Sequence, residues 1–311
     1  MVIKKLRYNN FICKNNFDRK INVLHKMNFP DSPESYFENE LGKTHYRYIQ
    51  VESAQVAVLL PGFSIPSSAY QTFAQNLSET GFSVLTIDYY GRGFSIPSTY
   101  FNYSIDAYVS QVLSLLEFLK IDKCVLISFS IGSIIACNIA SIFPSLISRL
   151  VFISPFHFLK NGMSPVQRFL ISNSFFGPYL LKIAGPQIIP TDIAAQFTDI
   201  TQHNEAYQGT LSVCLAQLNS NPFYCSSISA FVRGFDESSI LDETLKVTQM
   251  SVRALVLLGE NDILVDIQES EKWWKHWMPN VKVIIRENVG HLMFLEEPDD
   301  TSELVARFLH R

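Results

Sequence analysis

The pattern of apolar and polar positions predicts alternating strands and helices from residue 36 onward. Residues 36–51 predict an antiparallel pair of edge strands, because two runs rich in aromatic and β-branched residues flank Leu41-Gly42-Lys43. Helical spacing of apolar positions predicts helices after several of the later strands. Apolar runs predict those strands at residues 55–60, 82–87, 124–127, 149–153, 253–258 and 281–285. This order favours an α/β fold with a mostly parallel sheet and helices on both faces.

Residues 156–245 interrupt this alternation. The segment is rich in Phe and shows no persistent strand pattern, so it predicts an inserted helical cap between two parts of a core at 36–155 and 246–311. Pro165, Pro178, Pro186 and Pro190 are expected to divide the cap into short helices. Its aromatic side chains are expected to pack internally or to form the apolar roof of a pocket at the carboxyl edge of the sheet.

Residues 123–142 predict a strand, a sharp turn and a helix. Ser130 lies at the apex of the turn, and the small residues Ser128 and Gly132 flank it at the positions where a larger side chain would clash with the backbone. The first N–H groups of the helix point toward the same place. A serine nucleophile is therefore expected at position 130, although an ordinary turn remains the alternative for so short a pattern.

Composition narrows the functional classes. The chain has 311 residues, of which 47% are apolar and 17% charged, and its net charge is −4. A substantial core is expected, and nothing indicates nucleic-acid binding. Five cysteines show no metal-ligand spacing and are expected to be reduced, with pairing of Cys214 and Cys225 left open. Abundant Phe and Tyr indicate that some apolar surface faces a substrate or a membrane.

The first residues form a separate region. Residues 1–35 predict a basic N-terminal extension, because Lys and Arg residues between positions 1 and 29 are opposed only by Asp18. A solvated extension is the first expectation, with organelle targeting or peripheral contact with anionic lipid as alternatives. The sequence shows no signal peptide and no apolar run of membrane-spanning length, so a cytoplasmic protein is expected. The oligomeric state stays open.

Three polar residues follow different predicted strands. In a parallel sheet the loops after the strand ends share one edge, so Ser130, Asp262 and His291 are expected to converge there. A serine hydroxyl needs a histidine to accept its proton, and the histidine needs a carboxylate to orient it. His291 follows Gly290 on a short loop after the last strand, which favours it over the other histidines.

The carboxylate and the oxyanion site are assigned by position. Asp262 is preferred over Glu260, Asp266 and Asp236, because it lies far enough beyond its strand to turn toward a histidine. Asp88 is expected to accept hydrogen bonds from N–H groups of its own loop instead. The expected oxyanion donors are backbone N–H groups, and the residues concerned are Ile131 and Phe63, with Ser64 as an auxiliary donor. No metal or organic cofactor is expected.

The stretches LLPGFS, IDYYGRGFS, SFSIG, LVLLGENDILV and NVGHLMFLEEP occur in this order between residues 36 and 311. With them the chain resembles the α/β-hydrolase family, and within it the cap-bearing carboxylesterases and monoacylglycerol-lipase-like enzymes. The resemblance implies a mostly parallel core sheet with a lid over the active site. Family members usually have His-Gly where this chain has Pro61-Gly62, and glycine where it has Ser128.

Together these features predict a serine hydrolase that cleaves a carboxylic ester with a medium or long apolar acyl group, for example a monoacylglycerol or a similar lipid ester. Two alternatives stay open. One is a hydrolase of the same fold that cleaves a carbon–carbon bond, and the other is a ligand-binding homologue that has lost turnover. An aspartate nucleophile is disfavoured, because Ser130 occupies the nucleophile position.

Overall fold

The computed structural model describes residues 34–99, 101–156, 164–234, 237–278 and 280–311. Most of the predicted basic extension lies outside these residues. The strands of the described residues form one sheet. They are β1 (Glu34–Asn39), β2 (Gly42–Ile49), β3 (Val56–Leu60), β4 (Ser83–Ile87), β5 (Ile96–Pro97), β6 (Cys124–Phe129), β7 (Ile147–Ile153), β8 (Arg253–Gly259) and β9 (Val281–Arg286).

The sheet is parallel through its centre. Its strand order is β1-β2-β4-β3-β6-β7-β8-β9, and β5 pairs with β2. The β1–β2 hairpin is antiparallel, β2 joins β4 antiparallel, and the pairs from β4 to β9 are parallel. The predicted mostly parallel sheet is confirmed. Because β3, β6, β7 and β8 run the same way, their carboxyl ends bring loops from distant parts of the chain to one edge.

Alternate residues of each central strand face two different cores. Leu126 and Val256 belong to one apolar cluster, whereas Ile127 and Leu257 belong to the other. This period of two is the geometry of a strand covered on both faces. Helices α2 (Ile105–Phe118), α3 (Gly132–Ile142) and α9 (Ile267–Trp277) cover the first face, and α1 (Gln71–Glu79) and α11 (Pro298–Leu309) cover the second.

Helices fill the interval between β7 and β8. They are α4 (Pro165–Ser172), α5 (Gly177–Gln196), α6 (Asn204–Ser220), α7 (Tyr224–Gly234) and α8 (Glu237–Thr248). We call this segment the helical insertion. Pro165 and Pro178 begin helices, as a missing N–H allows. The prediction that Pro186 and Pro190 also end helices is wrong, since both lie inside α5.

Tertiary packing explains why α5 continues through its prolines. An internal proline typically costs a helix about 3 kcal/mol, but α5 packs along both α6 and α7. At Gly185 a Cβ would lie 2.7 Å from Leu218 Cδ2, so the Leu218 side chain of α6 packs directly on the α5 backbone. These contacts hold the helix axis where local preference alone would break it.

Several aromatic residues of the insertion differ from expectation. Phe169, Phe175, Phe176 and Tyr179 are exposed rather than packed in a core or in a pocket roof.

The short helix α10 (Met293–Glu296) directly follows the loop that carries His291. Among the described helices, none combines the length and hydropathy that a membrane span requires. Cys214 and Cys225 are both free thiols, so they do not pair.

Candidate active site

Ser130 occupies a sharp turn between β6 and α3. Its φ of 49° is in the left-handed region, which a serine adopts only where the surrounding structure requires it. A Cβ at Gly132 would lie 2.4 Å from the carbonyl oxygen of Leu60, so only glycine fits beside β3. Ser128 is accommodated because its Oγ donates to the carbonyl of Val151 at 3.2 Å. The turn therefore lifts the Ser130 side chain off the sheet.

The structure brings Ser130, His291 and Asp262 together. His291 Nε2 lies 3.1 Å from Ser130 Oγ, and His291 Nδ1 lies 2.7 Å from Asp262 Oδ2. All these side chains are buried. A proton can therefore pass from the hydroxyl to the imidazole, while the carboxylate fixes the imidazole tautomer.

Asp262 is held ionised by its surroundings. Its Oδ1 accepts hydrogen bonds from the N–H groups of Leu264 at 2.8 Å and Val265 at 3.1 Å. Burial alone raises the pKa of the Asp262 carboxyl, but the charge and hydrogen bond of His291 and these two amides outweigh it, so the pKa lies below its ordinary value. The carboxylate is thus available to stabilise an imidazolium.

The competing carboxylates have other partners. Glu260 accepts from the N–H of Asn288 at 3.2 Å, and Asp266 caps α9 by accepting from Glu269 N–H at 3.1 Å. Asp236 lies outside the described residues. Among the described carboxylates that the sequence offered as partners of the histidine, Asp262 is the one that contacts the His291 ring.

The other described histidines have different environments. His45 pairs with Asp88 at 2.8 Å, His203 lies 3.7 Å from Glu296, and His310 Nε2 is 3.0 Å from the Thr80 carbonyl oxygen. The ring of His276 packs against Trp277. His25 and His157 lie outside the described residues. The pairing of His291 with both a serine and a carboxylate sets it apart from these described histidines.

The loop after β3 lies close to Ser130. Ile131 follows this serine directly, and the loop approaches it so closely that a Cβ at Gly62 would lie 3.6 Å from Ser130 Cβ. Gly62 N–H donates to the Tyr70 hydroxyl at 2.9 Å, which fixes this loop. The N–H groups of Ile131 and Phe63 donate to no other described residue.

Most of the residues that hold the His291 loop could not be predicted from the sequence. Ser154 Oγ donates to the His291 carbonyl at 2.9 Å, and the Gln196 carbonyl accepts the His291 N–H at 2.9 Å. Glu296 accepts from Gly290 N–H at 2.9 Å and from Thr198 N–H at 3.3 Å. Burial raises the pKa of the Glu296 carboxyl, although these amide hydrogen bonds and His203 oppose the shift. For Ser154 a signal existed, since it directly follows β7 at the same sheet edge.

The helical insertion contacts the loops around the site. The Phe231 ring of α7 lies 4.7 Å from that of Phe63. Gln217 on α6 donates to the Ser64 carbonyl, so this residue contacts the insertion through its backbone. Asn221 donates to the Gly93 carbonyl at 3.0 Å. With Gln196 bound to the His291 loop, the insertion touches both sides of the candidate site.

Across the described ranges, no group of three or more His, Cys, Asp or Glu side chains has an arrangement that would hold a metal ion. The candidate site offers a hydroxyl, an imidazole, one carboxylate and two backbone amides. This set of groups suits nucleophilic acyl transfer.

Comparisons with known proteins agree with the fold. The curated "Uncharacterized carboxylesterase nap" of Bacillus subtilis (strain 168) is 22% identical over 278 residues, covering 88% of this chain and 86% of that protein. The crystal structure of the naproxen esterase from Bacillus subtilis has a TM-score of 0.66 at 18% identity, covering 94% of this chain and 97% of that one. The crystal structure of a bacterial membrane phospholipase A has a TM-score of 0.73 at 17% identity, covering 99% of this chain and 95% of that one.

A family model described as "alpha/beta hydrolase fold" matches residues 58–298. This range includes the last three residues of β3, the strands β4 through β9, the helical insertion, and the loops that carry Ser130, Asp262 and His291. The order and direction of the strands, the turn at Ser130 and this match lead to one conclusion: the chain belongs to the α/β-hydrolase family.

Proposed function

We propose that the protein is a serine hydrolase that cleaves carboxylic esters. The observation that carries the proposal is the hydrogen-bonded series Ser130–His291–Asp262, with distances of 3.1 and 2.7 Å. Membership of a hydrolase family and the carboxylesterase name of a relative support it. In this proposal Ser130 is the nucleophile, His291 the general base and acid, and Asp262 the residue that orients the imidazole.

The reaction proceeds in two halves. Ser130 Oγ attacks the ester carbonyl carbon as His291 Nε2 takes the hydroxyl proton, and the carbonyl π electrons move to oxygen. The N–H groups of Ile131 and Phe63 bind this oxyanion. Collapse of the intermediate expels the alcohol, which takes the proton from His291 and leaves an acyl-enzyme. Water then attacks with the same proton transfers, which releases the acid and restores Ser130.

An apolar acyl group fits the surroundings of Phe63. Its ring packs against a buried cluster of the helical insertion that contains Leu218, Tyr224 and Ile228. Phe231 lies on the same ring. An acyl chain next to the proposed oxyanion site would therefore meet these apolar side chains. The Arg92 guanidinium lies over the Phe63 ring, 4.9 Å from its centroid. We propose substrates with medium or long acyl chains, including lipid esters such as monoacylglycerols.

The experiment is a substrate profile on p-nitrophenyl esters of graded acyl length, with Ser130→Ala as the inactive partner. We expect hydrolysis that rises from acetyl to longer acyl groups and falls by about 10⁴ or more in the variant. A strict optimum at acetyl would overturn the acyl preference. Tight binding of esters without turnover, or turnover of diketone substrates alone, would overturn the esterase proposal.

A further inference from the structure

Exposed apolar side chains lie on both helices of the hairpin formed by α4 and α5. We call this surface the docking face and define it by six side chains that are each more than half exposed. They are Val166 (67%), Phe169 (70%), Phe175 (80%), Phe176 (57%), Tyr179 (66%) and Ile183 (56%). The rings of Phe175 and Phe176 lie 5.1 Å apart in the turn between the helices. Aromatic and aliphatic groups from both helices thus contribute to the docking face.

The docking face is larger than a monomeric protein normally leaves in water. A complete aromatic side chain presents about 150–250 Å², so the four aromatic members together expose roughly 400–700 Å². The largest apolar patch on a typical monomer is about 300–600 Å² and is often functional. With Val166 and Ile183 added, this surface reaches or exceeds that upper range. Such a surface is expected to have a partner.

The charged residues of α4 and of α5 as far as residue 191 are all basic. Residues 164–191 contain no Asp or Glu, and their charged residues are Arg168 and Lys182. Arg233 lies at the carboxyl end of α4, where its Nη1 donates to the Ser172 carbonyl at 3.2 Å. Aromatic side chains flanked by arginine and lysine are typical of segments that lie in a membrane interface. The same cations attract anionic headgroups.

A second copy of the chain fits this surface less well. A two-fold dimer would place the docking face against itself, since a symmetric interface uses the same residues on both subunits. Such an interface would bring the basic residues of both copies together, and residues 164–191 contain no carboxylate to pair with them. A bilayer that contains anionic lipid complements both the apolar area and the positive charge.

We propose that the docking face binds the surface of a bilayer containing anionic lipid, with its aromatic side chains at the level of the headgroups. The inference rests on the exposure of the six apolar side chains and on the basic residues near them. It does not require the proposed hydrolysis. It adds a site of interaction to the helical insertion.

Docking there also affects the candidate active site through shared helices. The amino-terminal half of α5 carries part of the docking face, and its last residue, Gln196, binds the His291 loop. Ser229 on α7 donates to the Ile171 carbonyl of α4 at 2.7 Å, and Phe231 on the same helix packs on Phe63. A bilayer bound at this face would therefore keep these helices, and the candidate active site that they contact, close to the lipid.

The test measures vesicle binding of the full-length Ser130→Ala protein by cosedimentation, so that turnover plays no part. The vesicles are phosphatidylcholine alone, or equal parts of phosphatidylcholine and phosphatidylglycerol. The test variant adds Phe169→Ser and Phe175→Ser. The matched control adds Trp277→Ser, which removes an aromatic side chain of 47% exposure from α9, outside the insertion. Thermal unfolding midpoints verify that each variant folds.

We expect binding to the mixed vesicles that is at least about tenfold tighter than to phosphatidylcholine alone. The double substitution should weaken it by about tenfold or more, and Trp277→Ser should leave it unchanged. Absence of binding, or equal effects of the test and control variants, would overturn the proposal. So would a dimer in analytical ultracentrifugation that the double substitution dissociates, because the face would then belong to a second copy.

A soluble ester separates this inference from the proposed function. With Ser130 intact, the Phe169→Ser, Phe175→Ser variant should hydrolyse p-nitrophenyl butyrate at the same rate as the parent protein. If the parent binds vesicles but hydrolyses no ester, the proposed function fails and the docking face stands. If it hydrolyses the soluble ester but binds no vesicle, the docking proposal fails alone.

Discussion

The described part of the chain contains two buried His–Asp pairs that look alike at short range. In one, His291 Nδ1 lies 2.7 Å from Asp262, and in the other His45 Nδ1 lies 2.8 Å from Asp88. All four side chains are 1% exposed. Both carboxylates also accept backbone N–H groups, and Phe94 N–H donates to Asp88 as the sequence predicted. The contact that distinguishes the pairs is on the other side of each ring.

His291 presents its Nε2 to the Ser130 hydroxyl at 3.1 Å. His45 has its Nε2 buried without a hydrogen-bond partner among the described residues, and its ring lies between those of Tyr36 and Phe94 at 5.2 and 5.0 Å. The first pair lies at the edge where parallel strands end. The second joins β2 to the loop after β4. A His–Asp pair becomes a candidate for catalysis only where the fold adds a nucleophile.

The largest contrast is expected from replacing each histidine with alanine. His291→Ala should lower kcat/KM for p-nitrophenyl butyrate by about 10⁴–10⁶, because no general base remains beside Ser130. His45→Ala should retain activity within about threefold per folded molecule, since its ring touches none of the reacting groups. Steady-state kinetics on both purified variants make the comparison. Equal losses would show that the two pairs do not differ in the proposed way.

Asp262→Asn should have the next largest effect. The amide keeps the shape but favours the wrong imidazole tautomer, so kcat should fall by about 10³–10⁴. The corresponding change at the second pair, Asp88→Asn, is the control and should leave kcat within a few fold. Pre-steady-state acylation rates provide the measurement. A loss of less than tenfold in Asp262→Asn would remove this residue from its proposed role.

Asp88→Asn should instead lower stability, by about 2 kcal/mol at pH 7, because buried hydrogen bonds to a charged group are lost. Burial raises the pKa of Asp88, but the hydrogen bond and charge of His45 and the Phe94 and Ser67 amides outweigh it, and the pKa is lowered. A carboxyl with a lowered folded-state pKa stabilises the fold above its unfolded pKa of about 4, and this contribution disappears as the pH falls through the folded value.

Urea unfolding from pH 7 to pH 3 tests the prediction for Asp88. The difference in free energy of unfolding between the parent protein and Asp88→Asn should be constant from pH 7 to about pH 5 and should shrink below about pH 4. A difference that grows toward acid pH would show that the folded state raises the pKa of Asp88 instead.

The smallest effect is expected at Ser128, where relatives in the family usually have glycine. Ser128→Gly removes the hydrogen bond to the Val151 carbonyl and adds backbone freedom in β6. Stability should fall by about 1 kcal/mol, and activity should change by less than about threefold. Thermal unfolding and ester kinetics measure both quantities. A large gain in activity would show that Ser128 distorts the turn.

The sequence was sufficient to predict the elements that apolar periodicity controls. The strands on both sides of Ser130 and their parallel direction follow from short apolar runs alternating with helical spacing, and the α/β-hydrolase fold is confirmed. The sharp turn followed from small residues at Ser128 and Gly132. These features depend on residues that are close together in the chain, so local sequence patterns predict them.

Features that depend on distant packing could not be predicted in this way. The unbroken passage of α5 through Pro186 and Pro190 depends on its contacts with other helices of the insertion. The hydrogen bonds from Ser154 and Gln196 to the His291 loop join residues far apart in the chain. Phe169 is exposed because of the way α4 packs on α7. Composition alone cannot distinguish an exposed phenylalanine from a buried one.

The most direct test of the role of Ser130 is covalent labelling with a fluorophosphonate, followed by peptide mass spectrometry. The proposed chemistry predicts one phosphonyl group per chain, attached to Ser130 rather than to Ser128 or Ser133. It also predicts that labelling slows by several orders of magnitude in His291→Ala and not in His45→Ala. A folded protein that takes up no label, or carries it on another serine, would contradict the assignment of Ser130 as the nucleophile.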